Sequence, residues 1–209
     1  MISIKNALFP IIFILAFLYP FSASATEASP YLLLEHTAKS LFEKMAKLSS
    51  EQRKNKDVLR ALVEQELMPI IDYQYTSFKI LGPNLKKSSK PQRKRFVDLM
   101  RQDLLETYTA ALSGYEAQEV IFEPPGTFKN QGFVIVRAKI VDTAAPPISL
   151  HFKLRQDKKT QQWKLFDLAV EGISLVQSKN VEFSAQIRSV GLDGLIRLLQ
   201  AKYKLMTSD

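Results

Sequence analysis

Trp163-Lys-Leu-Phe-Asp-Leu-Ala-Val-Glu-Gly-Ile-Ser-Leu-Val176 is the stretch whose reading decides the fold. Side chains alternate along a strand, so Trp163 to Val170 puts Trp163 and Leu165 on one face and Phe166, Leu168 and Val170 on the other. A strand that is apolar on both faces is covered on both sides. Glu171-Gly172 ends it, and Ile173, Leu175 and Val176 prolong the apolar surface. A terminal helix pair carrying Phe183, Ile187, Leu195, Ile196 and Leu199 is expected to follow.

Upstream of this stretch the period is two. Val120 and Phe122 make a first strand, closed by Pro124-Pro125-Gly126. Val134, Val136, Ala138 and Ile140 then alternate with polar or outward positions such as Arg137 and Lys139. After Pro146-Pro147, the residues Ile148, Leu150, Phe152 and Leu154 alternate with Ser149, His151, Lys153 and Arg155. Asp157-Lys158-Lys159-Thr160 reads as a hairpin turn into the Trp163 strand. The expectation is a largely antiparallel four-stranded curved sheet, with one apolar face and one wet, basic face.

Farther upstream the period is that of helices. Leu34, Ala38, Leu41, Phe42, Met45 and Leu48 fall at three- and four-residue steps over Tyr31 to Leu48. A second helix starts near Ser49-Ser50-Glu51, and a third is expected from Ile70 to Leu81, bounded by Pro69 and by Gly82-Pro83. The longest runs from Pro91 to about Ser113, with Phe96, Met100, Leu104 and Tyr108 along one stripe. Helices, then sheet, then helices is an α+β order. A long helix laid over a curved sheet leaves room for an apolar cavity between the two.

The first 25 residues read separately. Lys5 precedes an apolar run from Ala7 to Phe21, and Ala23-Ser24-Ala25 supplies the small residues of a signal-peptidase site. The run is short for a bilayer span and holds Pro10 and Pro20. Residues 1–25 are therefore expected to be a signal peptide cut after Ala25, and 26–209 a single exported domain. Cutting there removes one positive charge and lowers the net charge from +8 to +7. The chain has no cysteine, hence neither disulfide nor thiol chemistry.

Chemistry is sparse. His36 and His151 have no further ligand at metal spacing, and zinc needs at least three. No phosphate-binding glycine loop and no Gly-x-Ser-x-Gly elbow occurs, so no cofactor is expected. Ser174 lacks the second glycine of such an elbow. Asp167, inside an apolar strand, reads either as a buried base or as a carboxylate paired at the sheet edge. Between Lys86 and Arg95 stand six basic residues and no acid, among them Lys86, Lys87, Lys90 and Arg93. The run reads either as the solvated start of a helix or, since cations oppose the dipole at a helix start, here opened by Ser89 and Gln92, as a site for an external anion or acidic partner. No aromatic side chain interleaves them, which removes the stacking that nucleic acid would need.

Taken in order, Asp72-Tyr73, Leu81-Gly82, Gln92-Arg93, Arg95-Phe96, Tyr108, Tyr115, Trp163, Asp167, Gly172, Ser174-Leu175, Phe183 and Gly191 resemble the MlaC family of periplasmic phospholipid-binding proteins. Two positions depart from that family's pattern. Leu85 stands where a Trp is usual, bearing on the pocket mouth, and Asn180 where an Arg is frequent, bearing on a salt bridge or partner surface. The resemblance implies a soluble periplasmic carrier of phospholipid. It would work between an outer-membrane lipoprotein complex and an inner-membrane ABC transporter complex with an MCE-domain component, maintaining outer-membrane lipid asymmetry.

On that footing the acyl-chain lining is expected from Phe96, Met100, Leu104 and Tyr108 of the long helix, with Val134, Val136, Leu150, Phe152, Leu168 and Val170 of the sheet. Two other readings stay open. One is a small-molecule enzyme of cone-shaped α+β type, with Asp167 as base and a Tyr as acid. The other is a ligand-free adaptor with a filled core and the basic run as its working surface.

Overall fold

The structure, a computed structural model, describes residues 29–206 except 116–117, 129–130 and 143–144. The leader expected over residues 1–25, with its cut after Ala25, lies outside the described residues. Among those described, no helix is long and apolar enough to cross a membrane.

Most helices of the N-terminal half start at a side chain that can accept from free backbone amides. Ser29 caps α1 (Pro30–Ala46). Ser49 and Gln52 form a capping box on α2 (Ser50–Lys54), and the Asn55 carboxamide accepts from Asp57 N and Val58 N at the start of α3 (Lys56–Glu66). Asp72 caps α4 (Tyr73–Leu81) through a 2.9 Å bond from Tyr75 N. A short α5 (Asn84–Lys87) leads to Ser89 and Gln92, whose capping box opens α6 (Lys90–Ser113). The helix expected to begin at Ile70 begins instead at Tyr73. Met68–Ile70 form a single 3-10 turn, and Ile71 is drawn out as a bridge beside Leu165, where Asp72 N donates to Leu165 O at 2.7 Å.

The sheet is antiparallel, in the order β1 (Glu119–Phe122), β2 (Phe133–Val141), β3 (Ile148–Gln156), β4 (Trp163–Val170), β5 (Ile173–Ser174). It has five strands rather than four. Glu171 and Gly172 adopt φ of 50° and 78° and turn the chain back, so that Ile173 and Ser174 pair with Val170 and Ala169. Gly172 suits that left-handed position because it has no Cβ.

Strict alternation along β4 fails at one residue. Leu154 pairs with Leu165, but its neighbour Lys153 pairs with Asp167, leaving Phe166 as the extra residue of a β-bulge. Past the bulge the phase is reversed. Leu168 and Val170 therefore share the inner face with Trp163 and Leu165, a correction to the alternating expectation. Phe166 instead turns outward, edge-on to Tyr75 and Phe133. Its carbonyl accepts from the Thr76 hydroxyl at 2.8 Å, which seats α4 on the bulge.

Two apolar cores result. The first lies between the inner face of the sheet and α1, α3 and the C-terminal half of α6, and includes Leu34, Val63, Leu104, Val136, Leu154 and Trp163. The second joins α4, the N-terminal half of α6 and α7 (Leu175–Met206) through Ile80, Leu81, Phe96, Met100, Phe183 and Leu195. The expected terminal helix pair is α7 itself, broken at Gly191, whose φ of 71° and ψ of 171° leave the helical region.

A buried carboxylate adjoins the second core. Asp103 is 2% exposed and pairs with Lys179; it also accepts from Tyr203 and, at 3.3 Å, from Lys202. Burial pushes its carboxyl up, but the Lys179 charge and these hydrogen bonds outweigh that and hold it below the usual carboxylate range. Removing one partner of a buried pair strands the other. Asp103→Asn is therefore expected to cost about 3–5 kcal/mol, read from urea unfolding at neutral pH. Because the folded value lies below the unfolded one, the contribution is complete above about pH 4 and fades as pH falls further. The wild-type urea midpoint should consequently drop more steeply on acidification than that of the Asn variant.

Candidate functional site

Where α1 and the end of α6 cross over the sheet, the inner face is not filled. A cavity of about 360 Å³ remains, lined by Leu34, Thr37, Ala38, Leu41 and Phe42 of α1, Val63 of α3 and Leu67 just after it, Tyr108, Ala111 and Leu112 of α6, and Tyr115. The sheet supplies Val120, Phe122, Ile140, Ile148, Leu150, Phe152, Leu165, Leu168 and Val170. The volume falls in the range of about 300–1,000 Å³ typical of small-molecule sites. Among the described residues, polar side-chain atoms on the wall come only from Thr37, Tyr108 and Tyr115. Burial holds both phenols above their ordinary pKa range, Tyr108 also through the charge of Asp167, so both are neutral at physiological pH.

The hollow has a closed end and an open one. Val63 and Leu165 are each 1% exposed, whereas Ile148 and Val170 are 39% and 41% exposed. Val120, Ile140 and Ile148 stand side by side across three strands, and Val170 lies one pair along, opposite Leu150. Together they form a rim at one end of the sheet. Phe122 and Phe152 stack with ring centroids 6.2 Å apart inside it.

A larger depression of about 570 Å³ lies elsewhere, around Asp72, Arg101, Arg155 and Lys164. Its acids and arginines are paired with one another or with a neighbouring acid. Arg155 donates to Asp72 at 2.6 Å and lies over the Tyr75 ring, Arg101 pairs with Glu64, and Lys164 donates to Pro69 O at 2.8 Å. This groove ties α4 to the sheet.

Of the residues expected from the sequence to line a pocket, Tyr108, Leu150, Phe152, Leu168 and Val170 surround the hollow. Leu104, Val134 and Val136 sit beyond its closed end, in the first core. Phe96 and Met100 are fully buried in the second core and border no part of it. The α1 wall and the Val120, Phe122, Ile140 and Ile148 rim were not singled out beforehand. Their signal was the same periodicity: Leu112 and Tyr115 continue the Tyr108 stripe, and Ile140 and Ile148 continue the even face.

Asp167 is on the outer face, away from the hollow. It is 4% exposed and accepts from Lys153 Nζ at 2.8 Å, Ser174 Oγ at 2.7 Å and Val176 N at 3.1 Å. Ser174 Oγ in turn accepts from Gln177 N at 3.1 Å. Both side chains thus cap the start of α7. In the basic run, Arg93 folds back on Ser88, donating to Oγ at 3.0 Å and to the carbonyl at 2.9 Å, and Lys94 meets Asp98 at 2.9 Å. Lys86, Lys87, Lys90 and Arg95 are exposed. Leu85 packs against the second core, far from the rim. Asn180 donates to Ile80 O at 2.7 Å, and a Cβ on Gly82 would lie 2.8 Å from its amide nitrogen.

The profile of the family described as MlaC protein matches residues 35–201. The chain is 29% identical over 186 residues to the intermembrane phospholipid transport system binding protein MlaC of Haemophilus influenzae, covering 88% of this chain and 86% of that protein. Its fold superposes on a phospholipid-binding protein of Ralstonia solanacearum, solved in complex with a phospholipid, with a TM-score of 0.74 at 20% identity. That match covers 86% of this chain and 99% of the other.

A side chain on the wall of a hollow has packing partners on one side only. Leu168→Ala should therefore cost less than about 2 kcal/mol, while Leu154→Ala in the filled core should cost about 2–5 kcal/mol. Chemical denaturation of the two variants provides the comparison, and equal costs would mean that the hollow is filled in solution.

Proposed function

The chain belongs to the MlaC family, and we propose that it carries phospholipid between membranes, with an acyl tail in the hollow between sheet and helices. The observation that carries this reading is the wall itself: among the described residues twenty enclose the space, and only three of them offer a polar side-chain atom. Each methylene removed from water is worth about 0.8 kcal/mol, so a sixteen-carbon tail left in water costs roughly 12 kcal/mol. The main requirement on a carrier is to replace the bilayer's apolar surroundings. No bond is made or broken, so no nucleophile or cofactor is needed.

Loading and unloading then exchange one apolar environment for another. The free energy of transfer is close to zero, and direction comes from the partners. For these we propose an outer-membrane lipoprotein complex on one side and an inner-membrane ABC transporter complex with an MCE-domain component on the other. Net traffic between them would maintain outer-membrane lipid asymmetry. The setting is the periplasm, reached by cleavage after Ala25. The exposed Lys86, Lys87 and Lys90 near the start of α6 are the proposed docking charges, with Arg93 behind them fixing the turn.

Protein purified without detergent should show a bound phospholipid by native mass spectrometry. Leu168→Glu should abolish that signal while leaving the far-ultraviolet circular dichroism unchanged, because the new carboxylate points into the hollow and not into packed core. An empty wild-type protein that is fully folded would count decisively against the carrier reading. Reversing Lys86, Lys87 and Lys90 to Glu should weaken binding to an acidic partner surface at low salt and matter little at high salt. Binding that is unchanged at low salt assigns the run to solvation.

A further inference from the structure

The wall of the hollow is shared with a second space of opposite chemistry. Phe42 and Tyr115 stack with ring centroids 4.6 Å apart and planes 23° apart. Both line the hollow, and both also enclose a small pocket of about 90 Å³ together with Met45, Ala46 and Arg53. That pocket shares Met45, Arg53 and Tyr115 with a surface cleft of about 330 Å³, whose other walls are Ser50, Lys54, Leu112 and Ser113. Leu112 and Tyr115 thus border the hollow on one side and the cleft on the other.

The cleft holds two cations and three hydroxyls, of which Tyr115 donates to Gln118 O at 3.0 Å, and among the described residues no acid lines it. Arg53 is fixed in place, donating from Nε to Leu48 O at 3.2 Å and from Nη2 to Ala46 O at 3.3 Å. A guanidinium has five N–H donors, so these two bonds hold its plane without exhausting it. Among the described residues no carboxylate comes within ion-pair distance of Arg53 or Lys54. Most other basic side chains around the polar groove and in the second core are matched by acids. Here a positioned guanidinium and an ammonium adjoin an apolar wall with no internal anion to meet them.

We propose that this cleft seats the phosphate of the carried lipid. The tail lies in the hollow, the glycerol crosses the edge of the Phe42–Tyr115 pair, and the phosphodiester oxygens accept from Arg53 and Lys54, with Ser50 as a further donor; the Ser113 hydroxyl is already given to Ala110 O at 2.7 Å. The assignment rests on the carrier reading above. Lipid phosphate is favoured over a free anion because the same residues form the wall of both spaces. A planar guanidinium suits two oxygens of one phosphate.

The test uses the full chain and vesicles containing equal amounts of phosphatidylglycerol and diacylglycerol with identical acyl chains. Lipid recovered with the protein is quantified by mass spectrometry. Wild type should take up the phosphate-bearing lipid in about tenfold preference, the ratio that one charge-assisted contact supplies. Arg53→Gln with Lys54→Gln should bring that ratio near one with total lipid per protein unchanged. Lys54→Gln alone, which disturbs no backbone contact of the α1–α2 turn, should lower it part of the way.

If wild type loads lipid without preference, or the double variant keeps the preference, the cleft assignment fails and the carrier reading stands. If wild type loads no lipid, both fail. Calorimetry with inorganic phosphate on lipid-free protein completes the set. Binding there that the double variant loses, without any preference in the vesicle assay, would make this a free-anion site and overturn the proposal.

Discussion

One extra residue in a central strand sets the geometry of the whole molecule. Because Phe166 is unmatched across the β3–β4 ladder, Leu165 and Leu168 point to the same side, and the inner face stays apolar from Trp163 to Val170. The same step turns Asp167 to the outer side, where it meets Lys153 and accepts from Val176 N at the start of α7. It also frees the Phe166 carbonyl for Thr76, while the Leu165 carbonyl takes Asp72 N. The hollow, the start of α7 and the seat of α4 thus follow from a single bulge, as expected of a device that re-aims side chains and bends a strand.

A hollow of this kind is unfavourable in an ordinary domain, since interiors pack as densely as organic crystals and a void forfeits dispersion contacts along its lining. Here the loss is confined to one end of the sheet. The closed end is filled by Val134, Val136, Leu154 and Leu104, and the second core, beside the buried Asp103 and its partner Lys179, lies apart on the far half of α6. Stability and cavity are carried by different stretches of the same helix. The N-terminal half of α6 holds the fold, and its C-terminal half faces the space.

The polar groups follow a matching division. Asp72 is at once the N-cap of α4 and the partner of Arg155, whose guanidinium also covers Tyr75. Asp167 and Ser174 do for α7 what Asp72 does for α4. These carboxylates organise helix starts on the outer side of the sheet. The inner side is left to hydrocarbon, with only neutral phenols and one threonine hydroxyl among its described lining side chains.

Much of this was legible in the chain. Period-two alternation at Val134–Ile140 and Ile148–Leu154, three- and four-residue steps in α1 and α6, and the Ser89–Gln92 box all correspond to the observed elements. The inner-face residues Leu150, Phe152, Leu168 and Val170 were identifiable as one apolar group, although alternation alone assigned Leu168 and Val170 to the side opposite Leu165. What only the tertiary structure decided is which part of the apolar surface stays open. Phe96 and Met100 carry the same stripe as Tyr108, yet they meet Phe183 and Leu195 while Tyr108 meets empty space. Periodicity specifies that a side chain faces inward, because that depends on local backbone geometry alone. Whether anything stands opposite it depends on a bulge in another strand and on where a distant helix crosses, and no local pattern carries that information.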